Sequence, residues 1–429
     1  MCGHKGACVS FSLRYGDATE VVTLPDTVAA EVVAPPLAPA SPLAEADLVG
    51  RALAHPVGSP SLLERARGAR RVTVVVPDRT RPARLPTVLP PVLDALTSAG
   101  VPRDGVRVLV GGGIHAPASR DALVALVGAD VAARVPVEAA DADDVAQYAA
   151  LAPDRAIPQP RVHRAVVEAD LAVLVGVVAP HYLAGCSGGP KALVPGCADR
   201  ATVEAAHRLT LDATVAPDGS LRNRLGRPEA NPFRDTLLRI AQRVPTLFGL
   251  HLSMAGGRVV EATAGEVGAS HEVAWRAYRA AFGVARPASA DLVVAGGGAP
   301  LDRDLLQAHK ALVVAAEVAR PGAPIVWLAH ARDGAGHDEL LRWCEAGRPD
   351  RHLAALRRSF HPYGLTAYAL RWKASRHPVL VVSTMSADVL RPIGLSPFPS
   401  AQAAVDHALA HHAVARAVVL PDAATTFFL

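Results

Sequence analysis

Short apolar runs rich in β-branched residues alternate with segments of helical spacing in the first half of the chain. The strand-like runs cover residues 71–78, 106–111 and 170–178, and the helical segments behind them cover 85–98, 118–127 and 199–209. A strand buried on both faces is apolar along its whole length, and a glycine commonly ends the helix that follows. The pattern therefore predicts at least three βα units of a parallel sheet.

The same alternation returns in the second half of the chain. An LVVAGGG run follows Asp291, further strand-like runs cover 324–329, 378–383 and 417–420, and helical segments cover 305–319, 338–346 and 401–412. Residues 213–232 are rich in Asp, Gly, Asn and Pro and predict a long loop, whereas the Pro- and Ala-rich residues 30–42 predict an extended arm.

These patterns predict an α/β fold with two Rossmann-like lobes and a ligand cleft between them. Residues 1–285 form the predicted N-terminal domain, which carries the candidate chemistry, and residues 286–395 form a C-terminal Rossmann-like domain. Residues 396–429 form a segment that can pack back on the first domain.

Composition excludes several classes of protein. Half of the residues are apolar and 20% are charged, which is typical of a globular chain, and no apolar run approaches the ~18 residues that span a bilayer. The net charge is +4, from 44 basic and 40 acidic residues that are dispersed along the chain. We expect neither a nucleic-acid partner nor a membrane.

The cysteines favour a reducing compartment. There are five of them, an odd number, at scattered positions, and the start MCGHKGACVSF lacks the layout of a signal peptide. We therefore expect a cytoplasmic protein. Two groups with metal-like spacing are not interpreted as functional metal sites: Cys2, His4 and Cys8; and His407, His411 and His412, which have no HExxH glutamate.

Candidate chemistry follows the predicted strands. Asp78 and Arg81 come after the first strand, His115 after the second and His181 after the third. Ligands of open α/β sheets bind beyond the carboxyl ends of the strands, so these side chains are expected to converge. An arginine fork suits a carboxylate, and two histidines suit proton transfer. Alternatively, Asp78 and Arg81 pair with one another to hold a turn, and the histidines cap strand ends.

A glycine-rich loop, GCSGGPK, lies directly behind His181 and ends at Lys191. Its backbone N–H groups can approach an anion, and its lysine can contact a phosphate or form a covalent bond. The spacing is not that of a Walker loop, and no GxGxxG follows a strand, so a free dinucleotide is not indicated. A tight structural turn is the alternative. Gln307 and Lys310 share one helix face and suit an anion, although a solvated helix face is the commoner explanation of such a pair.

Taken together, these motifs resemble the nickel-dependent lactate racemase family of 2-hydroxy-acid racemases and epimerases. The matching segments, in the family's order and at its approximate spacing, are DRTRP (78–82), GGIHAP (112–117), PHYLAGCSGGPKALVPG (180–196), His207, Asn231-Pro232 and PLDRDLLQAHKAL (300–312).

The resemblance implies a tethered nickel-pincer nucleotide, nickel pyridinium-3,5-bisthiocarboxylic acid mononucleotide. Lys191 resembles the lysine of its thioamide link, and His207 resembles a nickel ligand. The other implied roles are catalytic bases (His115 and His181), a substrate-carboxylate clamp (Arg81) oriented with Asp78, and residues lining the cofactor and its phosphate (Ser187, Gly188, Gly189, Gln307 and Lys310).

The implied reaction is inversion of the C2 centre of a small 2-hydroxy acid. One histidine takes the hydroxyl proton while the C2 hydrogen leaves as hydride, because a carboxylate is too poor an electron sink for proton abstraction at C2. Enzymes that build the cofactor are implied as transient partners. The alternatives are a different hydride exchange with the same cofactor and a non-catalytic two-lobe protein that binds a small anion.

The chain departs from the family pattern at a few positions. Pro190 stands before the lysine where a small or basic residue is usual, and Leu306 stands where a tyrosine often precedes the glutamine. Tyr363 is a loosely aligned candidate for an aromatic residue of the C-terminal lobe. These departures leave the identity of the 2-hydroxy acid open.

Overall fold

A computed structural model describes residues 7–37, 42–345 and 349–429 of the chain. The chain folds into two compact units. The central unit comprises residues 37–213 and 224–281, and the terminal unit comprises residues 1–36, 214–223 and 282–429, as far as each range is described.

The strands are β1 (Cys8–Tyr15), β2 (Ala18–Pro25), β3 (Ala29–Val32), β4 (Val72–Pro77), β5 (Val106–Gly111), β6 (Val137–Ala139), β7 (Tyr148–Ala150), β8 (Arg161–His163), β9 (Leu171–Val178), β10 (Pro180–His181), β11 (Gly185–Cys186), β12 (Leu247–Ala255), β13 (Arg258–Gly265), β14 (Leu292–Ala295), β15 (Ile325–Leu328), β16 (Val379–Val382), β17 (Leu395–Phe398) and β18 (Arg416–Leu420).

The helices are α1 (Glu45–Ala54), α2 (Leu62–Ala66), α3 (Leu85–Ser98), α4 (Arg120–Val127), α5 (Ala129–Arg134), α6 (Arg164–Val167), α7 (Arg200–Thr214), α8 (Pro232–Ala241), α9 (Val267–Phe282), α10 (Leu305–Val318), α11 (Asp338–Cys344), α12 (Pro349–Arg358), α13 (Pro362–Ala374), α14 (Ala387–Ile393) and α15 (Ala401–His411).

The central unit is built on a six-stranded sheet in the order β13-β12-β9-β4-β5-β6. All neighbours are parallel except β13, which runs antiparallel to β12. Residues 72–76 of β4 are all buried, because separate apolar clusters cover the two faces of the sheet. The predicted α/β class with parallel sheets is confirmed, and β4, β5 and β9 lie within one residue of their predicted ends.

The strand order also fixes where a ligand can bind. From β4 the chain adds β5 and β6 on one side, and it later adds β9 and β12 on the other. The direction of winding therefore reverses between β4 and β9, and helices leave these two strands toward opposite faces. A crevice opens at such a switch point beyond the carboxyl ends of the strands.

The terminal unit has its own six-stranded sheet, in the order β17-β16-β15-β14-β18-β3, with every pair parallel. The β1–β2 hairpin adds Leu13, Val22 and Leu24 to the core of this unit. Within the predicted arm, residues up to Val32 belong to β3 and pair with β18, and residues 38–41 lie outside the described part.

The domain division inferred from the sequence needs two corrections. Residues 396–429 belong to the terminal unit together with residues 286–395, and β18 is an inner strand of its sheet that forms hydrogen bonds with β14 and β3. The described residues before 37 belong to the terminal unit as well, although the sequence placed them in the N-terminal domain. Periodicity along the chain identifies a strand and not its partner, so it could not show either pairing.

Within residues 7–37, 42–345 and 349–429, no helix combines the length and apolar character needed to cross a bilayer. The free cysteines in these residues are Cys8, which is exposed, and Cys186, Cys197 and Cys344, which are buried. Cys2 and His4 of the N-terminal group lie outside the described residues.

A buried lysine in α13 predicts a stabilising substitution. Lys373 is 6% exposed and donates to the Ala369 carbonyl at 3.2 Å, and burial lowers its pKa to about 7. Between about pH 7 and 10, Lys373 is protonated in the unfolded chain but mostly neutral in the folded protein. The free energy of unfolding of the parent should therefore rise with pH across this window. Lys373→Met should raise the free energy of unfolding at pH 7 by about 2–4 kcal/mol and by less at pH 10.

Urea unfolding at the two pH values measures this effect. The exposed Arg358→Met in α12 serves as the control for loss of a cation and should change stability by less than about 0.5 kcal/mol. An equal gain from Lys373→Met at both pH values would show that Lys373 is not held near neutrality.

Candidate active site

Asp78 and His115 form a hydrogen-bonded pair at the carboxyl ends of β4 and β5. His115 Nδ1 lies 2.7 Å from Asp78 Oδ2, while Asp78 Oδ1 accepts from the Thr80 hydroxyl at 2.5 Å and from its N–H at 3.1 Å. Burial raises the pKa of Asp78, but the hydrogen bonds from His115 and Thr80 outweigh it and hold this pKa below its usual range. The carboxylate fixes the proton of neutral His115 on Nδ1 and leaves the Nε2 lone pair as the proton acceptor.

The loop that carries His115 is fixed by close backbone contact. The N–H of Gly113 donates to the Gly196 carbonyl at 3.0 Å, and Gly113 has a φ of +59°, which favours glycine. A Cβ on Gly111 would lie 3.0 Å from the Gly196 carbonyl carbon. These contacts position the GGIH segment, and with it His115, against the turn at Gly196 that follows Lys191.

Arg81 provides a cation beside this pair. Burial lowers its pKa, while the nearby Asp78 carboxylate and the Tyr182 phenol raise it, and a guanidinium stays charged in either case. The residue nevertheless keeps an exposed surface, so a small anion can reach it. Both oxygens of Asp78 face His115 and Thr80, and the turn itself is held by the Arg81 N–H on the Asp78 carbonyl at 3.1 Å.

His181 is held by the backbone behind it. It ends β10, which pairs antiparallel with β11, and its Nδ1 accepts from the N–H groups of Leu183 and Ala184, both at 3.2 Å. Its Nε2 lies 3.4 Å from Lys191 Nζ. The ring stacks on that of Tyr182 with centroids 5.3 Å apart.

The glycine-rich loop lies tightly on β9. A Cβ on Gly176 would come within 3.1 Å of the Gly188 Cα, and a Cβ on Gly189 would meet the ring of His271 at 2.6 Å. Gly188 and Gly189 both have positive φ values, of +82° and +56°. The Ser187 hydroxyl donates to the Val177 carbonyl at 2.8 Å, so it ties the loop to the strand. The loop then enters a short 3₁₀ turn, Gly189–Ala192, that presents Lys191.

His207 lies on α7 and is neutral. Its Nδ1 donates to the Val203 carbonyl at 2.8 Å, and burial lowers its pKa to about 4, with Lys191, Arg81 and His115 adding to the effect. That shared electrostatic field shows that the four groups lie near one another. The Nε2 lone pair of a neutral imidazole is a suitable ligand for nickel. Among the described residues, no group of three His, Cys, Asp or Glu side chains forms a metal site by itself.

Gln307 and Lys310 belong to the terminal unit. They lie on α10, where the Lys310 ammonium donates to Gln307 Oε1 at 2.7 Å and Asp304 caps the helix by accepting from the Gln307 N–H at 2.8 Å. Both side chains are half-buried, so they do not lie on a fully solvated helix face. The other predicted site residues all belong to the central unit.

Sequence reasoning missed three residues that support the site. Tyr182 lies beside Arg81 and His181, and Phe233 lies under Lys191, with Nζ 5.2 Å from the ring centroid. His271 of α9 is buried and donates from Nε2 to the Ser187 carbonyl at 2.8 Å. Tyr182 was visible in the PHYLAG segment, but His271 and Phe233 reach the loop only through tertiary packing, which leaves no local signal.

Models of two protein domains match the chain. The lactate racemase N-terminal domain matches residues 15–217, and the lactate racemase C-terminal domain matches residues 285–427. Lactate racemase of Lactiplantibacillus plantarum is 28% identical over 298 residues, which are 68% of this chain and 68% of that protein. Lactate racemase of Thermoanaerobacterium thermosaccharolyticum is 26% identical over 304 residues, which are 70% of this chain and 69% of that protein.

Two solved structures share the fold. The lactate racemase apoprotein from Thermoanaerobacterium thermosaccharolyticum superposes with a TM-score of 0.86 at 23% identity, covering 98% of this chain and 100% of that one. A protein from Thermotoga maritima superposes with a TM-score of 0.67 at 15% identity, covering 91% of this chain and 99% of that one.

Proposed function

The chain belongs to the lactate racemase family and is an isomerase of the racemase type, and on this premise we propose that it inverts the C2 centre of a small 2-hydroxy acid with a tethered nickel-pincer nucleotide. The observation that carries the proposal is the group at the β4/β9 switch point. It combines a carboxylate-supported histidine, a second histidine beside a lysine, and an arginine (Asp78, His115, His181, Lys191 and Arg81).

The residues present fit this cofactor. Lys191 would carry the covalent link, and Gly188 and Gly189, where a side chain would clash with its surroundings, give the loop a surface of backbone alone. His207 would bind nickel through Nε2, since its Nδ1 already donates a hydrogen bond to the Val203 carbonyl. When bound, the group would supply an electrophilic ring that accepts a hydride and a nickel ion that tunes it.

The chain's own residues then have separate tasks. Arg81 binds the substrate carboxylate through its two-point fork. His115 takes the hydroxyl proton on Nε2, and the carboxylate of Asp78 stabilises the imidazolium that forms. His181, at the end of β10, serves the opposite enantiomer. Two bases are needed because inversion presents the hydroxyl group in two positions.

The substrate class and setting follow from the same premise. We infer a small 2-hydroxy acid without assigning lactate, because Leu306 and Pro190 depart from the family pattern. Cofactor-building enzymes are the transient partners that a tethered group requires. The cytoplasm remains the compartment that the cysteine pattern predicts.

The fate of hydrogen at C2 tests the reaction type. A substrate carrying deuterium at C2 is expected to racemise in ordinary water with most of its deuterium retained, because hydride does not exchange with solvent. Mass spectrometry of both enantiomers during turnover gives the retained fraction. Loss of deuterium to solvent at the rate of racemisation would instead indicate an enolate, and the proposal would then fail.

Asp78→Asn tests the support of His115. An asparagine amide would donate to Nδ1, which forces the ring proton onto Nε2 and removes the proton acceptor. We expect turnover to fall by roughly 10²- to 10⁴-fold in both directions. Thr80→Val is the matched control, because it removes a hydrogen bond to the same carboxylate without changing its charge, and it should cost less than about tenfold. Near-parental turnover of the asparagine variant would contradict the role of Asp78.

A further inference from the structure

His271 is a buried side chain that reaches the glycine-rich loop from α9. It is 1% exposed, and its Nε2 donates to the Ser187 carbonyl at 2.8 Å. Cys186 Sγ lies 3.9 Å from the same nitrogen, so the carbonyl is the closer and stronger acceptor. Burial lowers the pKa of His271 to about 4, so the ring is neutral at pH 7 and carries its one proton on Nε2.

The other ring nitrogen makes histidine a costly residue at this buried position. Within residues 7–37, 42–345 and 349–429, His271 Nδ1 is buried and has no hydrogen-bond partner. A buried acceptor without a donor loses the free energy of its hydration, and an apolar side chain of similar size would avoid that loss. The choice of histidine is therefore explained by what its Nε2–H does for the loop.

The bond to His271 sets the orientation of one peptide group. In a trans peptide the carbonyl and the following N–H point in opposite directions, so a Ser187 carbonyl that faces His271 directs the Gly188 N–H away from it. The next residue rests on the ring itself, because a Cβ on Gly189 would lie 2.6 Å from His271 Cγ. Gly189 also begins the 3₁₀ turn that carries Lys191.

The loop has few other means of holding this turn in place. The Ser187 N–H donates to the Ala179 carbonyl at 2.8 Å, on the side of the loop that faces away from α9. Between Ser187 and Lys191 the chain has only Gly188, Gly189 and Pro190, which have no polar side chain to add a hydrogen bond. The carbonyl held by His271 is therefore the last anchored group before the turn.

We propose that His271 is a positioning residue for cofactor attachment, which holds the glycine-rich loop so that it presents the Lys191 amine. The residue acts through the backbone of the loop and not on the substrate. This inference rests on the proposed function, in which Lys191 is the attachment point.

His251 of β12 provides a matched control. It is also 1% exposed, and its ring centroid lies 5.3 Å from that of His271. Its Nε2, however, lies 2.9 Å from the Ser270 hydroxyl of α9 and not on the loop. Replacing either histidine with leucine removes one buried hydrogen bond, so both variants should lose stability, but only His271→Leu removes the bond to the loop.

Hydrogen exchange of the unloaded protein tests the hold on the loop without any cofactor. Mass spectrometry follows a peptide that covers residues 184–193, and a peptide from β9 serves as the internal reference. In His271→Leu the loop peptide should exchange roughly 5- to 150-fold faster relative to the reference, because a buried carbonyl left without its donor costs about 1–3 kcal/mol. His251→Leu should keep the parental ratio. His271→Gln, whose amide can donate to the same carbonyl, should restore most of the protection.

Two results of this measurement would overturn the inference. Equal acceleration in the two leucine variants would show a general loss of stability and no specific hold on the loop. A loop peptide that exchanges at the parental rate in His271→Leu would show that the bond to Ser187 does not fix the loop.

Attachment is measured on the same proteins produced together with the cofactor-building enzymes. Intact mass gives the fraction of chains that carry the adduct. His271→Leu should lose most of the adduct, whereas His271→Gln should retain most of it and His251→Leu should match the parent. A full adduct in His271→Leu would refute the role in attachment. The proposed function fails separately, if the parent itself carries no adduct on Lys191, and loop exchange then still shows whether His271 holds the loop.

Discussion

Lys191→Ala is expected to abolish the covalent mass increment of protein produced together with the cofactor-building enzymes, and all racemase activity with it. The loop offers one amine, on the 3₁₀ turn behind Gly188 and Gly189, and the other described lysines lie on α10 and α13 of the terminal unit. Denaturing mass spectrometry of intact protein gives the increment directly. Lys310→Ala is the control, since it should keep the full increment even if activity falls.

His207→Ala should separate attachment from coordination. The organic part would still attach through Lys191, but nickel would bind weakly without the Nε2 ligand, and activity would be lost. Metal analysis beside the mass spectrum distinguishes the two variants. If the Lys191→Ala protein still carried the full adduct, another lysine would be the tether and the assignment would be wrong.

Substitution of Arg81 should weaken binding of the substrate carboxylate. Arg81→Ala removes the cation beside Asp78 and Tyr182, and Arg81→Lys replaces a planar fork with a point charge that cannot make the same two-point contact. Both variants should lose kcat/KM by roughly 10- to 150-fold, because a hydrogen bond to a charged group that is lost in this way costs about 1.5–3 kcal/mol.

Nickel content and the mass increment should stay at the parental level in both variants, because Arg81 has no proposed role in attachment. Steady-state kinetics in both directions, beside metal analysis, makes this comparison. A fully active Arg81→Lys enzyme would show that the substrate carboxylate is not held by a fork.

The sequence was sufficient for the parts of the site that depend on strand ends. β4, β5 and β9 are mostly apolar, so their positions were predictable, and parallel pairing then brings Asp78, His115 and His181 to the same edge. The sequence could not exclude a pair between Asp78 and Arg81. Whether Arg81 or His115 is the partner of the carboxylate depends on the three-dimensional structure, in which His115 is the partner.

Contacts between distant segments could not be predicted from the sequence either, because they too are formed only in three dimensions. His271 reaches the Ser187 carbonyl across 84 residues, and Phe233 lies beneath Lys191 because α8 packs on the 3₁₀ turn. No helix was predicted from the sequence over either residue, and local periodicity does not indicate what the faces of α8 and α9 cover. The hydrogen bonds of His181 were equally hidden, since they come from two backbone N–H groups.

The pairing of β3 with β18 has a consequence for how the protein is made. Val32 and Val419 are partners in the sheet, so about 390 further residues must be synthesised before β18 can pair with β3 and cover its edge. At 5–20 residues per second this takes roughly 20–80 s. The central unit is completed while β1–β3 of the terminal unit still lack their sheet, and the nascent chain exposes an unpaired strand edge throughout that time. A chaperone that binds extended apolar segments would therefore have its longest opportunity at residues 8–32, at the opposite end of the chain from the strand that finally covers them.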